Sequence, residues 1–171
     1  VKTIVCHLGN GASCCAVMNG KSVDTSMGLT PLEGLIMGTR SGDIDPAIIE
    51  FIAHKENKSI DDIMTILNKK SGVQGMSGVS SDFRDLTAAR DNGNARAKLA
   101  LDMFTYACKK YVGAYAFYET PLKVIEFTGE VDTLLYPFEI VSSIKLVNQQ
   151  PPYISTMDED VTVLKVGKVI I

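Results

Sequence analysis

The apolar run Thr3-Ile4-Val5-Cys6 predicts a short buried strand, and Cys14-Cys15-Ala16-Val17-Met18 predicts a second. Between them lies the polar, glycine-flanked stretch His7-Leu8-Gly9-Asn10-Gly11-Ala12-Ser13. Gly9 and Gly11 permit positive φ and close backbone approach, and Asn10 tolerates left-handed geometry while offering an amide. A hairpin tip of this kind brings backbone N–H groups near an oxygen-rich ligand, and from these residues alone a plain tight turn reads equally well. Asn19-Gly20 is a strong two-residue hairpin signal, so Val5 to Val23 reads as a three-stranded meander whose last strand runs through Lys21-Ser22-Val23-Asp24-Thr25-Ser26.

The alternation stops at Met27. From there to Arg40 the chain carries three glycines and a proline among apolar residues, and so long and apolar a loop is uncommon unless it lines a site. Helical spacing then takes over. Asp45 is an N-cap candidate, Pro46 suits the first helical position, and Ile48, Ile49, Phe51 and Ile52 supply an apolar face. A second helix begins at Ser59 with Asp61 and Asp62 in its first turn, carries Ile60, Ile63, Met64 and Leu67 on one face, and ends at Lys69, Lys70 and Gly72. Ser77 to Leu86 reads as a glycine-serine loop entering a helix capped by Ser80 or Ser81, with Arg84 at a helix start suited to anions. The longest helix is expected from Asn94 to Tyr118. Its core stripe is Ala100, Phe104, Ala107, Cys108, Tyr111 and Tyr115, and its wet face is Lys98, Asp102, Thr105 and Lys109.

Strand patterning returns in Leu122–Thr128, Val161–Val166 and Val169–Ile171; Phe138–Val147 fits helix or strand, and Pro151-Pro152 marks a loop. A meander, then helices, then strands predicts an α/β or α+β domain.

Composition narrows the partners. A net charge of −3 over 171 residues gives no broad attraction for nucleic acid or an anionic membrane, so a phosphate site must be local. Cys6, Cys14, Cys15 and Cys108 lack metal-ligand spacing, and adjacent Cys14 and Cys15 point to opposite faces of a strand. Reduced thiols and a cytoplasmic location are expected, with neither an export signal nor an apolar run long enough for a membrane span. Asp43 and Asp45 are candidate metal ligands, although Asp45 already has a capping role. The opening Val1-Lys2-Thr3 falls inside a strand-like run, which suggests a piece of something longer.

The ordered series is more telling than any single motif: His-Leu-Gly-Asn-Gly-Ala-Ser at 7–13, Asn-Gly-Lys-Ser-Val-Asp-Thr-Ser-Met-Gly at 19–28 and Thr-Pro-Leu-Glu-Gly at 30–34. It continues with Met-Gly-Thr-Arg-Ser-Gly-Asp-Ile-Asp-Pro at 37–46, Asn-Lys-Lys-Ser-Gly at 68–72 and Ser-Gly-Val-Ser-Ser-Asp-Phe-Arg-Asp at 77–85. Together, over roughly residues 1–118, these resemble the acetate kinase family, which includes the propionate kinases.

The resemblance implies an α/β, actin-like and sugar-kinase-like (ribonuclease H-like) domain with a mixed sheet, in which a β-meander is followed by helices. Residues 1–171 would form one domain, the second, nucleotide-binding half of a two-domain protein whose first half is absent. It implies reversible transfer of the γ-phosphoryl of ATP to acetate, giving acetyl phosphate and ADP, with Mg2+ as cofactor and a homodimer as the assembly. Propionate kinase, or a degenerate non-catalytic module kept for structure or self-association, are the alternatives. By the same resemblance His7, Leu8, Gly9, Asn10 and Gly11 hold the nucleotide's phosphates, Arg40 and Asn10 are catalytic, and Asp82, Phe83 and Arg84 contact adenosine. A planar guanidinium meets two oxygens of a phosphoryl group in flight, a role worth about 3 kcal/mol or more. The chain departs from the family after residue 118. Gly129-Glu130-Val131-Asp132 stands where a third glycine-rich loop is expected. Gly167–Ile171 replaces the segment that carries the family's Mg2+-associated glutamate, so the sequence supplies no metal ligand there.

Overall fold

The computed structural model describes residues 2–118, 124–128 and 162–165. Strands β1 (Lys2–Leu8), β2 (Ala12–Met18) and β3 (Lys21–Thr25) form an antiparallel meander, and β4 (Val124–Thr128) and β5 (Thr162–Lys165) add to it in parallel. The sheet order is β3-β2-β1-β4-β5, which places β1 at its centre. Five helices lie between β3 and β4: α1 (Ala47–Glu56), α2 (Ile60–Lys69), α3 (Gly72–Ser77), α4 (Phe83–Asp91) and α5 (Ala95–Tyr118).

The predicted meander is present. Asn19 and Gly20 hold φ of 52° and 76°, the double left-handed pair of a two-residue hairpin that matches strand twist. The period-two pattern sends Ile4, Cys6 and Leu8 of β1 and Ala12, Cys14 and Ala16 of β2 into the core, and Cys15 to the other face. Register pairs large residues with small ones, Ile4 with Ala16 and Leu8 with Ala12, which interlocks the buried face. The strands read at 122–128 and 161–166 correspond to β4 and β5. The expectations for Phe138–Val147, Pro151-Pro152 and Val169–Ile171 fall outside the described residues.

The chain divides into two compact parts, Val1–Ser26 with Thr105–Ile171, and Met27–Phe104. In the first, Cys6 and Cys14 are paired across strands with Sγ atoms 3.6 Å apart. The contact with Cys14, then burial, holds the Cys6 thiol well above its ordinary pKa; burial, then Cys14, does the same to Cys108 of α5. These thiols are neutral core residues, and all four cysteines are free.

In the second part, Leu35, Met37, Ile63, Val73, Leu86 and Leu101 are buried, and the rings of Phe83 and Phe104 meet 4.6 Å apart at 59°. Three helix readings need correction. On α1 the expected apolar face is only partly covered: Ile48 and Phe51 are exposed at 42% and 58%, Ile49 and Ile52 are half-buried, and Lys55 Nζ lies 5.6 Å over the Phe51 ring. The cap of α4 is Asp82, not Ser80 or Ser81; Ser80 Oγ instead accepts the Asp82 N–H at 3.0 Å. Thr105, assigned to the wet face of α5, is buried. Helix α3 over Gly72–Ser77 has no counterpart among the expected helices, and α1 begins at Ala47, one residue past Pro46. Asp45 Oδ1 accepts the Ala47 N–H at 3.0 Å, and Ser59 and Asp62 form a reciprocal capping box.

Candidate functional site

His7, Leu8, Gly9, Asn10 and Gly11 lie at the end of β1 and in the turn to β2, in the first compact part; Arg40, Asp82, Phe83 and Arg84 lie in the second. Each part carries its own group of candidates.

In the turn, Leu8 and Gly9 are buried and His7 and Asn10 are exposed, so strand alternation continues to the loop's edge and presents two polar side chains to solvent. Gly9 N–H donates to the Gly11 carbonyl at 3.0 Å and tightens the tip. Gly9 and Gly11 do not take the left-handed φ open to them; the positive-φ glycines of the described chain are Gly20, Gly34, Gly42, Gly72, Gly78 and Gly93.

Arg40 sits in a stretch with neither helix nor strand, and its backbone is nonetheless held on both sides. Met37 N–H donates to the Arg40 carbonyl at 3.1 Å, Ser41 N–H to the Leu67 carbonyl at 2.9 Å, and Ser71 N–H to the Thr39 carbonyl at 2.9 Å. At the start of α3, Val73 and Gln74 N–H donate to the Met37 and Gly38 carbonyls at 2.9 and 3.0 Å, and Thr39 Oγ1 donates to the Asn68 carbonyl at 3.1 Å. The Arg40 guanidinium reaches only Met37 Sδ, through Nη1 at 3.7 Å, and among the described residues it forms no ion pair. It lines a cavity of about 450 Å3 with Asp61, Met64, Thr65, Asn68 and Lys69 of α2.

Asp43 and Asp45 each have a carboxylate oxygen on a backbone amide. Asp43 Oδ1 accepts the Gly34 N–H at 2.8 Å while Asp43 N–H donates to the Gly34 carbonyl at 2.9 Å, and Asp45 caps α1. Among the described residues no three His, Cys, Asp or Glu side chains cluster to hold a metal.

At α4, Asp82 Oδ1 accepts the Arg84 N–H at 2.8 Å, and its carboxylate takes Arg84 Nε and Nη2 at 3.0 and 2.6 Å. These bonds, side chain first and backbone second, lower the Asp82 pKa to about 2. The helix start that reads as an anion site therefore has this carboxylate on one of its first-turn amides, that of Arg84. Phe83 turns inward against Phe104, while Arg84 points to solvent. Sequence reasoning did not find Arg96, which reaches back from α5 and donates through Nε to the Met76 carbonyl at 2.9 Å and through Nη2 to the Gly75 carbonyl at 3.3 Å. It thereby caps the C-terminus of α3. Nor did it find the role of Thr39, whose sign was membership of a motif block, or that of Gly72, which the pattern offers only as the end of α2.

An antiparallel meander extended by two parallel strands, with helices inserted between, defines a domain of the actin-like class. The acetokinase family model matches residues 1–133. The chain belongs to that family. It is 68% identical over 128 residues to the acetate kinase of Lachnoclostridium phytofermentans, covering 75% of this chain and 32% of that protein. It is 66% identical over 130 residues to the acetate kinase of Agathobacter rectalis, covering 76% and 33%. The crystal structure of Porphyromonas gingivalis acetate kinase superposes with a TM-score of 0.86 at 42% identity, covering 96% of this chain and 45% of that one. A propionate kinase from Francisella tularensis subsp. tularensis SCHU S4 gives a TM-score of 0.82 at 37% identity, covering 95% and 45%. The chain thus spans about a third of the length of the curated relatives it matches. Among the described residues, no helix is long and apolar enough to cross a membrane.

Proposed function

We propose that this chain is the second, nucleotide-binding half of an acetate kinase, which moves a phosphoryl group reversibly between ATP and acetate. The observation that carries the reading is the acetokinase family match over residues 1–133, a span that includes the turn 7–11, Arg40 and Asp82–Arg84, beside 68% identity over 128 residues to an acetate kinase. Transfer of a phosphoryl group needs little covalent help from a protein; it needs positioning and a fixed positive charge where negative charge spreads. The amides and exposed polar side chains of His7–Gly11 hold phosphate oxygens, with Asn10 beside the reacting group. Arg40, free of any carboxylate partner among the described residues, stabilises the equatorial oxygens of the phosphoryl in flight. Asp82, Phe83 and Arg84 contribute to the adenosine side.

Mg2+ enters with the nucleotide's phosphates. Asp43 and Asp45 each hold Oδ1 on a backbone amide, which gives both a structural role in their loop whether or not a cation is bound. The acyl group is acetate rather than propionate on the strength of the relatives' identities, and the working protein is a homodimer. Turnover requires the part of a full-length kinase that this chain does not match.

Calorimetric titration of the chain with MgADP, beside an Arg84→Ala variant, tests this. Binding that weakens in the variant supports a formed half-site. A folded chain that binds no nucleotide refutes the reading and leaves a kinase-derived scaffold in its place. Turnover of acetate and MgATP by this chain alone would refute the division of labour.

A further inference from the structure

The proposed role of Arg40 raises the question of what holds it, since it lies in a loop without regular structure. We infer that Thr39, Ser71 and Gly72 are positioning residues: the junction of α2 and α3 is a mould that fixes the backbone of Met37–Ser41 and so aims Arg40 at the phosphoryl group. The inference rests on the reading of Arg40 given above.

Every residue of that loop is engaged through its main chain. The carbonyls of Met37, Gly38, Thr39 and Arg40 each accept a backbone N–H, from Val73, Gln74, Ser71 and Met37, and the Ser41 N–H donates to Leu67. Thr39 Oγ1 adds a bond to the Asn68 carbonyl at 3.1 Å, while Ser71 Oγ ties the far side of the junction to the Ile66 carbonyl at 2.9 Å. The amides at the start of α3 are therefore spent on the Arg40 loop and not on a ligand.

Gly72 lies at the centre. Its φ is +62°, and a Cβ there would lie 2.3 Å from the Met37 carbonyl oxygen, 2.8 Å from that of Gly38 and 2.9 Å from that of Arg40. Three carbonyls converge on one α-carbon, and only a residue with no side chain admits them. This gives the Asn68-Lys69-Lys70-Ser71-Gly72 block a physical meaning: it is the complement of the Met37-Gly38-Thr39-Arg40-Ser41 block. An arginine that meets transient charge gains from having its backbone fixed beforehand, because reorganisation during the reaction is then avoided.

Gly72→Ala is the severe perturbation and can unfold the region, so Thr39→Val and Thr39→Ser carry the test. Valine replaces the hydroxyl by a methyl at similar volume, and serine restores the hydroxyl. Two measurements are made on the chain: amide hydrogen exchange at Ser41 and Ser71, and calorimetric affinity for MgATP against MgADP, with Arg40→Ala as reference. Thr39→Val should speed exchange at both amides, lower the thermal midpoint by at most a few degrees as the loss of one hydrogen bond does, and weaken MgATP by roughly three- to tenfold with MgADP unchanged. Thr39→Ser should match the parent in both.

If Arg40→Ala weakens MgATP selectively and Thr39→Val does not, the positioning role is overturned while the role of Arg40 stands. If Arg40→Ala itself spares MgATP, the reading of Arg40 fails, and the positioning role toward it fails too. Parental exchange at Ser41 and Ser71 in Thr39→Val overturns the mould directly.

Discussion

Ser26→Ala and Ser77→Ala remove the same hydroxyl from two residues that are 3% and 4% exposed, yet the structure predicts unequal costs. Ser26 Oγ accepts the Cys14 N–H at 2.9 Å, and Cys14 is wholly buried in β2. Without the hydroxyl that N–H has no acceptor and no path to water. The reciprocal bond, from Ser26 N–H to the Cys14 carbonyl at 2.8 Å, survives and keeps the strand in place, so the group is not freed by local opening. An orphaned buried donor costs about 1–3 kcal/mol, and about 2 kcal/mol suits a site held this firmly. For a protein of this size that is a fall of about 4–8 °C in thermal midpoint. Ser77 Oγ accepts the Val79 N–H at 3.1 Å, but Val79 is 43% exposed and its amide can turn to solvent. Its loss should cost about 0.5–1 kcal/mol, the net worth of an ordinary hydrogen bond. Urea unfolding followed by far-UV circular dichroism, with the dependence on urea unchanged between variants, reads both values. Equal costs within about 0.5 kcal/mol would refute the argument that solvent access to the orphaned donor decides the difference.

Two further outcomes follow from ionisation. The Asp82 carboxyl should titrate near 2 by NMR, because Arg84 favours its charged form, and Arg84→Ala should move the midpoint upward. Its folded pKa lies below the unfolded one, so the stabilisation it gives is present above about pH 4 and is lost as pH falls toward that midpoint. A midpoint unmoved by Arg84→Ala would show that the ion pair is not the cause. Of the four cysteines, half-buried Cys15 alone should react with an aromatic disulfide in the native chain, and all four should react in urea. Because the Cys6 and Cys108 thiols are held neutral, stability should also decline as pH rises above about 8.5, where the unfolded thiols ionise first. Rapid reaction of two or more thiols in the native chain would contradict the buried placement.

What the sequence made legible was mostly local. Asn19-Gly20 declares its turn because few residue pairs take two left-handed φ values in succession, and Ser59 with Asp62 declares a helix start because the capping box is complete within four residues. Where the deciding partner lies far along the chain, reading failed. Ile48 and Phe51 share a face by spacing alone, and spacing does not say whether anything covers it. The cap of α4 fell to Asp82 over two neighbouring serines, in a helix whose first residue, Phe83, packs on Phe104. Helix α3 is six residues long with two glycines, a poor helix former, and it exists because Met37 and Gly38 accept its first amides and Arg96 caps its last carbonyls. The candidate site was named through a family likeness in its motifs. The likeness gave residue types in order, and the contacts that fix them came from the fold. The altered stretch from Gly129 to Asp132 lies outside the described residues.

The central place of β1 sets an order of events for a chain emerging from the ribosome. One edge of β1 is satisfied almost at once, since β2 follows it through a short turn. Its other edge waits for β4, in which Val124 pairs with Thr3 and Thr128 with His7, and therefore for the synthesis of all five helices. During that interval the second edge is a row of unpaired amides and carbonyls beside the apolar face of the meander, which is where a nascent chain sticks to its neighbours. The helical part, Met27–Phe104, is one continuous stretch of chain and is fully synthesised before β4. Closing the sheet is then the late step, and substitutions in β4 should show themselves as poor yield during synthesis before they show as lost stability in the finished protein.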